Sequence, residues 1–158
     1  MDPVFKKLNF TTQPLCCVLN APETFNKNIA AMGTLTTFKT SLKGIKELPF
    51  FLAFVTQQRQ VDEIAKSLPT LMAPDGTVWL AYPKGSSKKY TCEFNRDIGW
   101  AEWGRQGYEP VRQVAIDEDW SALRFRKVEH IKKMTRSFAM TEAGKKKVAA
   151  AKKKAAKK

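Results

Sequence analysis

Leu48-Pro-Phe-Phe-Leu-Ala-Phe-Val55 is the longest uninterrupted apolar run of the chain, eight residues set between Glu47 and Thr56-Gln57-Gln58. A run of this length without polar alternation suits a strand buried on both faces, as in a parallel sheet covered by helices. Spanning a bilayer takes about 20 apolar residues, so no membrane insertion is expected. Upstream, Leu15-Cys-Cys-Val-Leu19 is a second apolar run, ended by Asn20-Ala-Pro-Glu23. Pro22 can open a helix over 24–32, stopped by Gly33. The Thr-rich segment 34–42 suits another strand. Downstream, Val61, Ile64, Ala65 and Leu68 recur at helical spacing until Pro69, and Pro74-Asp-Gly76 marks a turn before a strand over 77–82. A helix is predicted over 95–106, closed by Gly107. Strands over 111–116 and 122–128 come next, joined through Asp117-Glu-Asp-Trp-Ser121. Strands alternating with helices predict an α/β fold, a small three-layer sandwich with helices on both faces of the sheet. Its sheet is mostly parallel and ends in an antiparallel hairpin. The domain is placed at 1–128, with a flexible basic Lys/Ala-rich extension at 129–158.

The whole chain has 158 residues, 28 of them Lys or Arg against 15 Asp or Glu, giving +13. Hydrophobic residues at 43% and aromatics at 11% are enough for a packed core and exclude a wholly disordered chain. The charge is unevenly spread. Residues 1–123 carry 14 basic and 13 acidic side chains, net +1, whereas residues 124–158 carry 14 basic side chains against Glu129 and Glu142, net +12. The tail lysines, Lys145, Lys146, Lys147, Lys152, Lys153, Lys154, Lys157 and Lys158, are interleaved with alanines and one valine. Lysine is a point charge without the planar fork that reads base edges, and the last 14 residues hold no Arg or aromatic. Contact with nucleic acid or another polyanion through this tail is therefore expected to be nonspecific; the bland alternative is a solubilising terminus. About six phosphate contacts would give a slope of log affinity against log salt near −5.

Cys16 and Cys17 are adjacent in an apolar run and Cys92 stands apart, a poor disulfide framework that suits a reduced cytosol. No export signal is read at the N-terminus, and a cytoplasmic location is expected. His130 is the only histidine and neither CxxC nor HxxxH spacing occurs, so no metal site is expected.

Lys6-Lys7-Leu8, Val18-Leu19-Asn20-Ala21-Pro22-Glu23 with Phe25, Leu71-Met-Ala-Pro-Asp-Gly76, Val78-Trp79, Tyr82-Pro83-Lys84 and Asp117-Glu-Asp-Trp-Ser-Ala-Leu-Arg-Phe125 together resemble an uncharacterised bacterial family of small Rossmann-like proteins. The likeness covers roughly residues 3–126 and implies a fold without assigning chemistry. The order of elements is also distantly similar to a shortened S-adenosylmethionine methyltransferase, whose last parallel strand follows a Pro-Asp-Gly-like turn and precedes a terminal hairpin. In those enzymes the first strand ends in a Gly-rich loop, since glycine lets the backbone turn and approach the cofactor. Here Asn20-Ala21-Pro22-Glu23 stands in that place, with a β-carbon at Ala21 and no amide donor at Pro22. No GxGxxG comes after the strand and no Walker-type loop occurs. No cofactor is therefore predicted, with a nucleotide or S-adenosylmethionine as the alternative.

In open α/β sheets ligands bind beyond the carboxyl ends of the strands, where strand order reverses. The segments expected at that edge are Asn20 to Glu23, Thr56 to Gln58, the loop Lys84-Gly85-Ser86-Ser87-Lys88-Lys89, and the turn from Asp117 to Ser121. Candidate ligand-binding residues are Asn20, Pro22, Glu23, Lys84, Gly85, Ser86, Ser87, Lys88, Asp117 and Trp120. The Lys84–Lys89 loop offers amides, hydroxyls and ammonium groups suited to a phosphate or carboxylate; its plain alternative is a solvated connection. Asn20 could orient a ligand or simply stabilise a turn. The acids at 117–119 could hold a cation or serve as acid and base, or be solvated. Trp120 could stack on a ligand or cover the hairpin, and Trp100 and Trp103 could pack on the sheet or meet a protein partner. No nucleophile and base pair is recognisable. The sequence is thus read as a non-catalytic binding or regulatory protein with a polycationic tail. The alternative is a nucleotide- or S-adenosylmethionine-like-ligand-binding protein or enzyme using the carboxyl edge of the sheet.

Overall fold

The computed structural model describes residues 1–131. Along them run α1 (Pro3–Lys7), β1 (Leu15–Leu19), α2 (Asn26–Ala30), β2 (Thr37–Lys39), β3 (Leu48–Phe54), α3 (Gln58–Ser67), β4 (Met72–Pro83), α4 (Ala101–Arg105), β5 (Tyr108–Ala115) and β6 (Trp120–Lys127). One six-stranded sheet takes them in the order β2-β1-β3-β4-β6-β5. β2, β1, β3 and β4 are mutually parallel, while β6 runs antiparallel to both β4 and β5. The tail lysines from Lys145 onward lie outside the described residues.

Successive strand residues point to opposite faces, so the side chains of one strand feed two cores. Val18, Phe50, Leu52, Phe54, Trp79 and Ala122 pack with Phe5 and Leu8 near α1 and with Phe25 and Met32 flanking α2. Cys17, Phe51, Ala53, Leu80, Leu123 and Phe125 pack with Val61, Ile64 and Leu68 near α3 and with Trp100 and Trp103 of the α4 region. This is the three-layer arrangement read from the sequence. β3 sits at the centre and every residue of it but Pro49 is buried, which is why its sequence shows no alternation. Trp100 and Trp103 are core residues, at 2% and 0% exposure.

α1 has no counterpart among the expected elements. The Asp2 carboxylate caps it, accepting from the amides of Val4 at 3.0 Å and Phe5 at 3.1 Å, and Asn28 Nδ2 donates to the other oxygen at 3.0 Å. The end of the segment is held by the indole N–H of Trp79, which donates to Leu8 O at 2.8 Å. A short helix with little propensity of its own is thus fixed by partners far along the chain.

Several element bounds differ from expectation. The helix expected over 95–106 shrinks to α4. Asn95 Oδ1 instead accepts from the amides of Asp97 at 2.8 Å and Ile98 at 3.1 Å, and Gly99 takes φ +101°, which a helix does not allow. The helix expected over 24–32 is a 3-10 turn, Glu23–Phe25, continued by α2, and the Thr-rich strand keeps only three residues. Pro74-Asp-Gly76 lies within β4. Leu48 pairs with Met72 and Phe50 with Thr77, so β4 loops out against β3, and Asp75 takes φ +52° there. Arg126 closes this bulge with a two-point bond to both Asp75 oxygens at 2.8 and 2.5 Å. Among the described residues no helix is long and apolar enough to cross a membrane, and no cluster of His, Cys, Asp and Glu could hold a metal ion.

Candidate functional site

From β1 the chain goes outward to β2 and then crosses to β3 on the opposite side of β1, so strand order reverses between β1 and β3. A cavity of about 780 Å³ opens there, lined by Asn20, Pro22, Glu23, Thr24, Phe54, Thr56, Gln60, Lys89, Tyr90 and Trp120. β6 reaches this edge because it is antiparallel: its first residue, Trp120, pairs with Pro83 at the end of β4. Four expected residues, Asn20, Pro22, Glu23 and Trp120, therefore meet in one space.

Asn20 makes the turn out of β1 at φ +58°, the left-handed conformation that asparagine tolerates better than most side chains. The bend that a glycine would otherwise supply is therefore present. Pro22 comes next but one in an extended conformation, and its carbonyl accepts the Phe25 amide at 2.9 Å. On the opposite wall, Trp120 is 4% exposed and its ring lies 5.0 Å from Phe54 and 4.9 Å from Tyr90, centroid to centroid. Its indole nitrogen is buried without a hydrogen-bond partner. Gln60 Oε1 accepts from the amides of Thr56 at 2.9 Å and Gln57 at 3.1 Å, fixing the start of α3 against the end of β3. Among the described residues Glu23 is the only carboxylate lining the cavity and Lys89 the only ammonium.

The Lys84–Lys89 loop forms a partition. Its far side borders a second cavity of about 600 Å³, lined among others by Lys84, Gly85, Ser87, Tyr90, Tyr82, Arg96 and Gln113. The Lys84 amide donates to Asp119 O at 2.8 Å, and the Ser87 hydroxyl donates to Asp119 Oδ1 at 2.8 Å. The same hydroxyl oxygen accepts from the amides of Lys89 at 3.3 Å and Tyr90 at 3.2 Å. Ser87 thus pins the loop to the β5–β6 turn. Ser86 and Lys88 are exposed and line neither cavity. Asp117 also lines neither; its carboxylate accepts from the amides of Asp119 and Trp120 at 2.8 and 2.9 Å and shapes the turn. In the second cavity the Tyr82 hydroxyl accepts from Gln113 Nε2 at 2.8 Å, and burial pushes its pKa up to about 12. Burial likewise raises the Cys92 thiol. Neither is ionised near neutral pH.

Gln60, Lys89 and Tyr90 of the first cavity were not among the expected ligand-binding residues. The signal for the last two was their place at the end of the Lys-Ser loop, Lys89 as its last residue and Tyr90 directly after it. Gln60 carried none, being one polar residue on an otherwise amphipathic helix.

No protein-family profile matches the chain, and no curated protein matches its sequence. The fold has solved counterparts. An S-adenosylmethionine-dependent methyltransferase from Aquifex aeolicus superposes with a TM-score of 0.52 at 8% identity, covering 78% of this chain and 87% of that one. The Methanococcus jannaschii fibrillarin pre-rRNA processing protein gives 0.49 at 10% identity, over 74% and 67% of the two chains. A protein of the NADB-Rossmann superfamily from Streptococcus agalactiae gives 0.43 at 11%, over 80% and 68%. Identities this low speak for architecture alone. The chain has a Rossmann-like α/β fold of the kind seen in the Aquifex enzyme.

Proposed function

We propose that the cavity between the ends of β1 and β3 binds a nucleoside-type ligand of the S-adenosylmethionine class. The observation that carries this reading is the lining: three aromatic side chains, Phe54, Tyr90 and Trp120, face polar groups of Asn20, Thr56, Gln60 and Glu23 at the strand-order reversal. Aromatic walls suit a purine ring, and each stacked base contributes about 1–3 kcal/mol. Glu23 can accept hydrogen bonds from ribose hydroxyls or offset a cationic group. A polyphosphate fits poorly. Among the described residues Lys89 is the only lining cation, α2 has five residues, Pro22 has no amide and the Phe25 amide is already used. The likeness to the Aquifex methyltransferase supports the same ligand class through the shared fold.

Titration calorimetry and thermal shift with S-adenosylmethionine, S-adenosylhomocysteine, adenosine and ATP test the reading. The first three should bind and ATP should not; at about 100 times the dissociation constant a ligand adds about 2.7 kcal/mol of stability. Tyr90→Ala should weaken binding by roughly 5- to 150-fold, from the stacking contribution above. Binding of ATP alone, or of none of the four, would overturn it.

A second reading rests on the charge partition, net +12 over residues 124–158. It assigns the lysine-rich tail to nonspecific contact with a nucleic-acid backbone. Replacing all eight tail lysines by glutamine in the full chain should remove a salt slope of about 5. An unchanged slope would refute it.

A further inference from the structure

β5 and β6 pair regularly until Pro110, opposite Phe125; the next pair is Arg112 with Arg124, because Val111 is an extra residue in β5. Without that bulge the side chain opposite Arg124 would be a valine. With it, two guanidinium groups stand directly across from one another, and bulges are a common device for re-aiming a side chain. Arg126 lies two residues further along β6 on the same face. Like charges directly opposite on a sheet are unfavourable, and the carboxylate that the register places on this face, buried Glu109, stands opposite Arg126 and not opposite Arg112 or Arg124. Asp75 is engaged by Arg126 in the two-point bond that closes the β4 bulge. Among the described residues neither Arg112 nor Arg124 has an ion pair or hydrogen bond, and Arg124 Nε is buried without a partner. Burial first, then the charges of Arg126 and Arg112, lower the Arg124 pKa against the opposing effect of Asp75. The α1 side chain Lys7 adds a further cation beside this strand, donating to Ala115 O at 3.3 Å.

We infer that Arg112 and Arg124 form a docking patch for the sugar-phosphate backbone of a nucleic acid. A guanidinium fork matches two phosphate oxygens, and an anion placed between the two arginines relieves their mutual repulsion. The chain beyond β6 favours a string of phosphates over a single free one. β6 leads through the 3-10 turn Val128–His130 directly into residues 132–158, which carry 11 basic side chains and one acidic one. One polyanion can engage both the patch and the tail. The inference rests on the assignment of the tail to a nucleic-acid backbone and adds to it a fixed contact on the folded body.

The test starts from four full-length proteins, wild type, R112A/R124A, the variant with eight tail lysines changed to glutamine, and the combination of both, with R112K/R124K and R112A as controls. Binding to fluorescent duplex DNA and single-stranded RNA, about 20 nucleotides long, is tracked by anisotropy across a salt series. In either tail background R112A/R124A should make the slope of log affinity against log salt shallower by about 1.8 on the duplex, from about 0.9 per phosphate contact, and by about 1.4 on the single strand, from about 0.7. R112K/R124K, which keeps the charges, should restore most of the slope. Should R124A impair folding by circular dichroism, the exposed R112A alone should shift the slope by about 1. If the tail variant weakens binding while R112A/R124A leaves slope and affinity unchanged in both backgrounds, the patch is wrong and the tail reading stands. Absence of wild-type binding overturns both. Loss of binding to anionic phospholipid vesicles, with nucleic-acid binding unaffected by R112A/R124A, overturns the assigned partner.

Discussion

Replacing Asn20 separately by alanine and by glycine distinguishes a residue that makes a turn from one that also holds a ligand. Asn20 is exposed, sits at φ +58°, and among the described residues its side chain has no hydrogen-bond partner. Its contribution to stability is therefore conformational. An L-residue in the left-handed region costs about 1–2 kcal/mol, and asparagine bears less of this than alanine does. Alanine should thus destabilise by about 0.5–1 kcal/mol. Glycine removes the strain but adds about 0.5–1 kcal/mol of unfolded-state entropy, so its net effect is near zero. For a folded body of this size, 1 kcal/mol corresponds to roughly 3–5 °C in Tm. The alanine variant should melt a few degrees below the wild type and the glycine variant close to it, by differential scanning fluorimetry. Since the glycine variant keeps the turn and lacks only the side chain, it isolates the amide's contact with the ligand. Loss of one neutral hydrogen bond, about 0.5–1.5 kcal/mol, should weaken S-adenosylmethionine roughly 2- to 12-fold in calorimetry. Equal melting of the alanine variant and the wild type would refute the conformational argument. Unchanged affinity in the glycine variant would remove Asn20 from the site.

Other substitutions probe the scaffold. Gly99→Ala meets both φ +101° and a Cβ placed 2.5 Å from Phe94 Cβ and 2.8 Å from Gln58 Oε1, so it should cost more than about 2 kcal/mol in urea denaturation, and a wild-type midpoint would contradict the loop geometry. The hydrogen bond from Arg126 holds the Asp75 carboxyl below its ordinary 3.8, so its contribution is present above that value and fades as pH falls further. Both side chains are about a third exposed, which limits the contribution to about 1 kcal/mol; the stability gap between wild type and Asp75→Asn should narrow from pH 5 toward about pH 2, and a constant gap would refute the coupling. Burial pushes the Cys16 and Cys17 thiols up to about 11, so iodoacetamide at about pH 8 should modify half-buried Cys92 first, read by peptide mass spectrometry. Labelling of Cys16 or Cys17 at the Cys92 rate would show that the β1 core opens.

The α/β architecture was legible because β3 is buried on both sides and its sequence says so in one unbroken run. The meeting of Asn20, Pro22, Glu23 and Trp120 came from a general rule about sheet edges. What escaped depended on tertiary partners. α1 owes its existence to Asn28 and Trp79, 26 and 71 residues from their partners Asp2 and Leu8, and nothing local announces them. The shortened α4 reflects a contest between helix propensity and the Asn95 side chain, settled by Gly99. Tyr90 and Gln60 enter the cavity only because the Ser87–Asp119 bond and the Gln60 cap aim their segments. The pairing of Arg112 with Arg124 hinges on a one-residue bulge, and a slip of one residue in register reverses every side chain of a strand.

The position of β6 between β4 and β5 constrains the order in which the protein can be put together. β5 is synthesised before β6, yet among the described strands it pairs with β6 alone, so it has no strand to pair with when it first emerges. Until residue 127 is available, β4 presents an unpaired edge, the kind that invites pairing between chains. β5 and β6 form a hairpin closed at the Asp117 turn, and pairing of β6 with β4 both completes the sheet and sets Trp120 at the cavity. Weakening that turn should therefore be felt first in the growing chain, as aggregation during synthesis, and only later in the melting temperature of molecules that have already folded.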